Sequence, residues 1–144
     1  MYSAIEISKY IIDYSCDKGK PTSNLRLQKI LYFVQANFLI SKNVECFNDN
    51  IYAWDFGPVV PSVYFEYKIF GGASIPSSGT NNKEYNISES DKQLVNEIVD
   101  QCNQYSTSSL VQITHSQKPW NEARTLLGGN IISKESIKRY FSEG

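Results

Sequence analysis

Leu25-Arg26-Leu27-Gln28-Lys29-Ile30-Leu31-Tyr32-Phe33-Val34-Gln35-Ala36-Asn37-Phe38-Leu39-Ile40-Ser41 contains neither glycine nor proline, and its apolar side chains fall on two stripes rather than one. At roughly 100° per residue, Leu27, Ile30, Leu31, Val34 and Phe38 line one side of a helix, and Leu25, Tyr32 and Leu39 line a second. A helix with two apolar flanks is packed on from both sides, which places this one at the centre of the core. Lys20-Pro21-Thr22-Ser23 breaks the chain just before it and supplies an N-cap hydroxyl.

The flanking segments read as shorter elements around that helix. Ser3 and Glu6 have the spacing of a capping box, and Ala4, Ile7, Ile11 and Tyr14 recur at helical spacing up to Lys18-Gly19. Beyond the turn signal Asn48-Asp49-Asn50, residues Ile51 to Phe56 alternate in the manner of a short strand. Gly57-Pro58 then turns the chain, and Pro61 opens a short aromatic helix over Ser62 to Phe70, closed by Gly71-Gly72. Residues 71–86 are rich in Gly, Ser, Asn and Pro and read as an exposed loop, a length that in compact domains is either functional or disordered. Ser88 caps a helix whose apolar face is Leu94, Val95, Ile98, Val99, Cys102 and Tyr105. Ser108-Ser109 starts a further helical segment through Leu110 and Ile113. Pro119 starts another with Trp120, Ala123 and Leu126, ended by Gly128-Gly129, and Ser133 caps a last helix holding Ile137, Tyr140 and Phe141. The expected fold is mostly α: a compact helical domain of about six helices with one or two short β-strands. A length of 144 residues with 41% hydrophobic content suits one core, so residues 1–144 are expected to form a single domain.

Composition narrows the function. Fourteen Lys and Arg against fifteen Asp and Glu give a net charge of -1 with no run of like charge, which argues against a phosphate-binding surface and against nucleic acid as a partner for this domain alone. Cys16, Cys46 and Cys102 are odd in number and lack C-x-x-C spacing, so neither a disulfide framework nor a metal site is expected, and a reducing cytoplasm fits them. No stretch approaches the roughly 20 apolar residues of a membrane span, and no basic leader precedes an apolar run. The single histidine, His115, rules out a two-histidine metal site. A Cys46–His115 hydrolase remains a formal alternative, although a lone cysteine and a lone histidine are more often structural. Neither glycine pair stands in a phosphate-cradling motif, and no cofactor or catalytic residue is expected. Ten Tyr, seven Phe and two Trp exceed what a minimal core requires, and Tyr and Trp are favoured at interfaces.

Two segments carry residues that helix and strand rules do not demand. The first is Leu27-Gln28-Lys29-Ile30-Leu31-Tyr32-Phe33, followed by Ala53-Trp54-Asp55-Phe56-Gly57-Pro58-Val59-Val60-Pro61-Ser62-Val63-Tyr64. The second is Thr114-His115-Ser116-Gln117-Lys118-Pro119-Trp120-Asn121-Glu122-Ala123-Arg124, then Ile132 and Tyr140-Phe141. In this order they resemble the Panacea domain of toxin–antitoxin antitoxins, the family of SocA-like proteins and phage-associated GepA proteins. Ile30 stands where Leu is usual, Phe56 where Tyr often stands, and the loop at 71–86 is unusually polar.

The resemblance implies a cytoplasmic bacterial or prophage protein that neutralises a toxin made from a neighbouring gene, in at least one branch by delivering it to a AAA+ protease. It also implies a structural motif of Gln28, Lys29, Tyr32, Gly57, Pro58, Thr114 and His115, with Gln28, Lys29 and Tyr32 expected to hydrogen-bond the Trp54-Asp55 turn and the Thr114-His115 corner. Trp54, Asp55, Tyr64, Tyr67, Lys68 and Trp120 are the expected partner-binding groups, because aromatic and cationic side chains dominate binding hot spots. The alternative function is a phage- or defence-associated regulator that binds a host protein or DNA without a toxin.

Overall fold

The structure, a computed structural model, describes residues 1–78, 85–125 and 130–143. The elements are α1 (Ala4–Asp17), α2 (Asn24–Ser41), β1 (Ile51–Trp54), β2 (Gly57–Val59), α3 (Pro61–Tyr67) running into a 3-10 turn (Lys68–Phe70), α4 (Glu89–Cys102), α5 (Thr107–His115), α6 (Lys118–Thr125), β3 (Ile131–Ile132) and α7 (Lys134–Glu143). The fold is mostly α, as the sequence implies; among the described residues it has seven α-helices and three short strands, against about six helices and one or two strands expected. The strand order is β2-β1-β3, antiparallel throughout. Among the described residues, no helix is long and apolar enough to cross a membrane.

The caps form as the sequence predicts at α1, where the Ser3 hydroxyl accepts from the Glu6 amide (3.1 Å) and the Glu6 carboxylate accepts from the Ser3 amide (3.1 Å). At α2 the Ser23 hydroxyl accepts from the Arg26 amide, and at α4 the Ser88 hydroxyl accepts from the Asp91 amide. Around α2 pack α1, α3, α4, α5, α7 and β2. Leu27, Ile30, Leu31, Val34 and Phe38 are all buried, and so are Tyr32 and Leu39 from the second stripe. Three tyrosines near the N-terminus fasten α4 across the surface: Tyr2 donates to Asp91 (2.5 Å), Tyr10 to Asn96 (2.7 Å) and Tyr14 to Asp100 (2.9 Å).

Several sequence expectations need correction. α5 starts one residue earlier than Ser108, because Ser106 caps it. α4 ends at Cys102, and Tyr105 lies past that end, half exposed. The described part of the 71–86 loop is not simply exposed. Ile75 is buried and its amide donates to Thr22 (2.8 Å). The buried carboxylate of Asp13 accepts from the Ser77 hydroxyl, from both the amide and hydroxyl of Ser78, and from the Tyr85 hydroxyl. Residues 79–84 of that loop, and Leu126 with Gly128-Gly129, lie outside the described residues.

The irregular segment after α2 depends on one side chain. Gln35 is fully buried; its amide nitrogen donates to the Phe47 carbonyl (2.7 Å), and its oxygen accepts from the amides of Cys46 (2.7 Å) and Phe47 (3.4 Å). A buried backbone group left without a partner costs roughly 1–3 kcal/mol. Gln35→Leu keeps the volume and strands three such groups. It should lower the unfolding free energy measured by urea titration by about 3 kcal/mol or more, whereas an unchanged midpoint would mean that the segment finds its partners elsewhere.

Candidate partner-binding surface

The β1–β2 hairpin begins as the alternating pattern requires: Ile51 and Ala53 point into the core, and Tyr52 and Trp54 are half exposed. The pairs Tyr52–Val59, Ala53–Pro58 and Trp54–Gly57 place the turn at Asp55-Phe56 rather than at Gly57-Pro58. Neither turn residue has a positive φ; the left-handed step falls on Gly57, at φ +110°. Glycine is required there twice over, since a Cβ would stand 2.8 Å from Lys29 Cε and 2.9 Å from Thr114 Oγ1. Pro58 cannot donate to the ladder, and its carbonyl is taken up from beneath.

That carbonyl accepts from Lys29 Nζ (2.9 Å), a side chain with no exposed surface. Burial pulls the Lys29 ammonium down to about 7 from its ordinary value of 10.5. The preceding residue, Gln28, accepts from the Val60 amide (2.8 Å) and donates to Asn24 (2.9 Å), while Asn24 donates to the Tyr64 carbonyl (3.1 Å). The polar row of α2 therefore holds β2 and the start of α3. It does not reach the Trp54-Asp55 turn, and the Tyr32 hydroxyl meets Gln117 (2.7 Å) rather than Thr114 or His115. Thr114 turns back on its own helix, donating to Leu110 and Val111.

α6 holds β1 and the turn instead. Trp120 Nε1 donates to the Trp54 carbonyl (2.9 Å), Arg124 Nη1 donates to the Ala53 carbonyl (3.2 Å), and Arg124 Nη2 pairs with Asp55 (2.9 Å). The His115 ring stacks on Trp120 with centroids 4.2 Å apart, and its buried Nε2 has no hydrogen-bond partner. Cys46 sits elsewhere, on the segment paired with Tyr2. Its thiol is pushed well above the ordinary range by burial and by Asp91, the reverse of an activated nucleophile. Among the described residues, no group of three or more His, Cys, Asp or Glu side chains is arranged to hold a metal ion.

The outer side of the hairpin and of α3 carries an aromatic cluster. Trp54, Tyr64 and Phe65 meet edge to face, with centroid separations of 5.3, 6.3 and 5.5 Å. Lys68 Nζ lies 5.8 Å from the Phe65 ring centroid. Phe65 is 60% exposed, Ile69 87%, and Phe56 at the turn 66%. Of the six partner-binding groups expected from the sequence, Trp54, Tyr64 and Lys68 lie on this face, and Asp55 lies at its rim in the ion pair with Arg124. Tyr67 faces inward among the buried residues. Trp120 is half buried, with its N–H already engaged. The sequence reading missed Phe56, Phe65 and Ile69. Phe65 on α3 and Ile69 in the 3-10 turn that continues it are exposed while Val63 and Tyr67 are buried, so this short helical stretch shows apolar groups to both sides.

Two changes test the buried junction. Gly57→Ala should lower the unfolding free energy by on the order of 2–4 kcal/mol in urea titration, from backbone strain and the collision with Lys29; a neutral result would mean that the turn relaxes freely. For Lys29 the folded value lies below the unfolded one. Between about pH 7 and 10.5 the unfolded chain therefore holds a proton that the folded chain has released, and this group makes stability rise with pH. The raised values of Cys102 and Tyr67 act in the opposite sense at the upper end of that window. From pH 7 to 9 the difference in stability between wild type and Lys29→Met should move in favour of wild type by up to about 1.4 kcal/mol per unit. Parallel pH profiles would show that Lys29 keeps its proton on folding.

Comparison with known proteins bears on this geometry. No solved structure matches the chain. Antitoxin SocA of Caulobacter vibrioides (strain NA1000 / CB15N) is 41% identical over 58 residues, which cover 40% of this chain and 31% of that protein. The aligned stretch thus spans less than a third of that relative's length. Residues 27–121, from the first turn of α2 into α6 and including the whole hairpin, match the family described as antitoxin SocA-like, Panacea domain, and the chain belongs to that family.

Proposed function

We propose that this protein is an antitoxin that neutralises a protein toxin from a neighbouring gene by binding it directly, without catalysis. The observation that carries this reading is the family match over residues 27–121, strengthened by the likeness to a protein named Antitoxin SocA. The geometry supports it in two ways. An exposed aromatic cluster on a braced hairpin is a surface suited to protein contact, since Trp and Tyr anchor interfaces and a rigid support lowers the ordering cost of binding. The one thiol–imidazole pairing that the sequence leaves open also lacks its chemistry, because the Cys46 thiol is buried and held protonated.

Residues 1–144 act as one unit in this reading, because Ile137 of α7 joins the same core cluster as α1 and α2. The protein works in the cytoplasm, and delivery of the bound toxin to a AAA+ protease is the finer form of the same proposal. The test is to express the neighbouring open reading frame in bacteria with and without this chain. Growth arrest relieved by this chain, with the two proteins recovered as a complex, is the expected outcome. If deletion of the AAA+ proteases leaves toxin levels unchanged while rescue persists, neutralisation is by occupancy alone. A neighbour that is harmless and does not co-purify would overturn the antitoxin reading.

A further inference from the structure

The antitoxin reading leaves open which face meets the toxin. The described surface offers few places where large apolar side chains gather. Val44, Tyr105 and Ile131 are exposed on separate segments. The groove between α2, α4 and α5, lined by Phe33, Ile98, Leu110 and Ile113, holds about 170 Å³, and nothing shows what would fill it. The hairpin and α3 differ in concentration. Aromatic side chains carry roughly 150–250 Å² each. With Phe56 66%, Phe65 60% and Ile69 87% exposed, these three side chains alone leave several hundred Å² of apolar surface in water. That is the size at which a surface patch signals a binding site.

The charges at this face say what kind of surface covers it. Asp55 is already paired with Arg124. Glu66 is exposed on the flank of α3 away from Tyr64 and Lys68, about 100° round the helix from Phe65. Lys68 is exposed, lies against the Phe65 ring and has no ion-pair partner among the described residues. The face is therefore apolar at its centre, with the positive charge of Lys68 beside the Phe65 ring and Glu66 on the opposite flank of the helix. The backbone beneath it is fixed by Lys29 on Pro58, Gln28 on Val60 and Trp120 on Trp54, so little freedom remains to be lost on docking.

Building on the antitoxin reading, we propose that Trp54, Phe56, Tyr64, Phe65 and Ile69, with Lys68 at the edge, form the docking face for the toxin, and that the toxin covers it with an apolar patch flanked by a carboxylate. The apolar part supplies the affinity, and Lys68 sets orientation and association rate.

The experiment titrates the full chain with the purified product of the neighbouring gene, using wild type, Phe65→Ser, Ile69→Ser, Lys68→Glu and, as a control at a distant exposed apolar site, Val44→Ser. Circular dichroism and gel filtration accompany each variant. All four positions are exposed, so the fold should persist. Phe65→Ser is expected to weaken binding by about 30-fold or more and Ile69→Ser by about tenfold. Lys68→Glu should weaken it most at low salt, and Val44→Ser should leave it unchanged. Wild-type affinity retained in both Phe65→Ser and Ile69→Ser would overturn the face while leaving the antitoxin reading intact. If those variants change only the elution volume of the free protein, the face belongs to a second copy of this chain and the proposal is also wrong. Absence of binding by wild type would remove the antitoxin reading, and the docking face with it.

Discussion

The buried polar side chains of α2 are the constraint on which the rest of the molecule depends. Gln28, Lys29, Tyr32 and Gln35 sit on the most central helix, and all are essentially without exposed surface. In an apolar interior each would be costly unless paired. Each is paired with a group that α2 itself does not supply: the Val60 amide, the Pro58 carbonyl, Gln117, and the Cys46–Phe47 backbone. The non-helical segments have the complementary problem, because their backbone groups are buried and lack a regular ladder for all their hydrogen bonds. α2 solves both at once, and the irregular parts of the fold are held against it with little latitude in register.

The hairpin shows what this arrangement achieves. A two-stranded hairpin is marginal by itself, and here it is gripped on opposite sides. Lys29 holds Pro58 from the α2 side, while Trp120 and Arg124 hold the carbonyls of Trp54 and Ala53 from α6. β3 adds only two residues to the open edge of β1. Lys29 makes one hydrogen bond, meets no countercharge among the described residues, and has its basicity depressed by burial. Such a group is a poor source of stability, and its place under Gly57 is better understood as a spacer and hydrogen-bond donor that fixes the shape of the turn.

Much of the helical frame was legible because caps and apolar spacing are local signals. Ser3 with Glu6, Ser23 and Ser88 each act where the sequence places them, and the double stripe of α2 does correspond to burial on both flanks. The hairpin turn was misplaced because Gly57-Pro58 looks like a turn pair. The positive φ is needed one residue after the actual turn, and only the close approach of Lys29 and Thr114 reveals why. The tyrosine excess suggested an interface, yet Tyr2, Tyr10 and Tyr14 fasten α4, while Tyr32 and Tyr85 bind Gln117 and Asp13. Hydrogen-bond partners 72 to 89 residues away leave no trace in local spacing. Phe65 and Ile69 were missed for a different reason: apolar residues on a short helix are assigned to the core by default, and only the packing shows that Val63 and Tyr67 already fill that side.

These two kinds of legibility bear on how the family likeness should be used. The residues that carry the resemblance are mostly the frame: Leu27, Gln28, Lys29, Leu31, Tyr32, Gly57, Pro58 and Thr114 are buried, and their work is to pack and to satisfy backbone. Phe65, Lys68 and Ile69 fall within the matched span but outside the two segments by which the likeness was first read. A frame that fixes the hairpin and α3 sets where a partner would dock without dictating the side chains it would meet. The likeness is therefore strong evidence for the scaffold and weaker evidence for the partner. The specificity of this chain has to be sought in exposed side chains that the frame leaves free to vary.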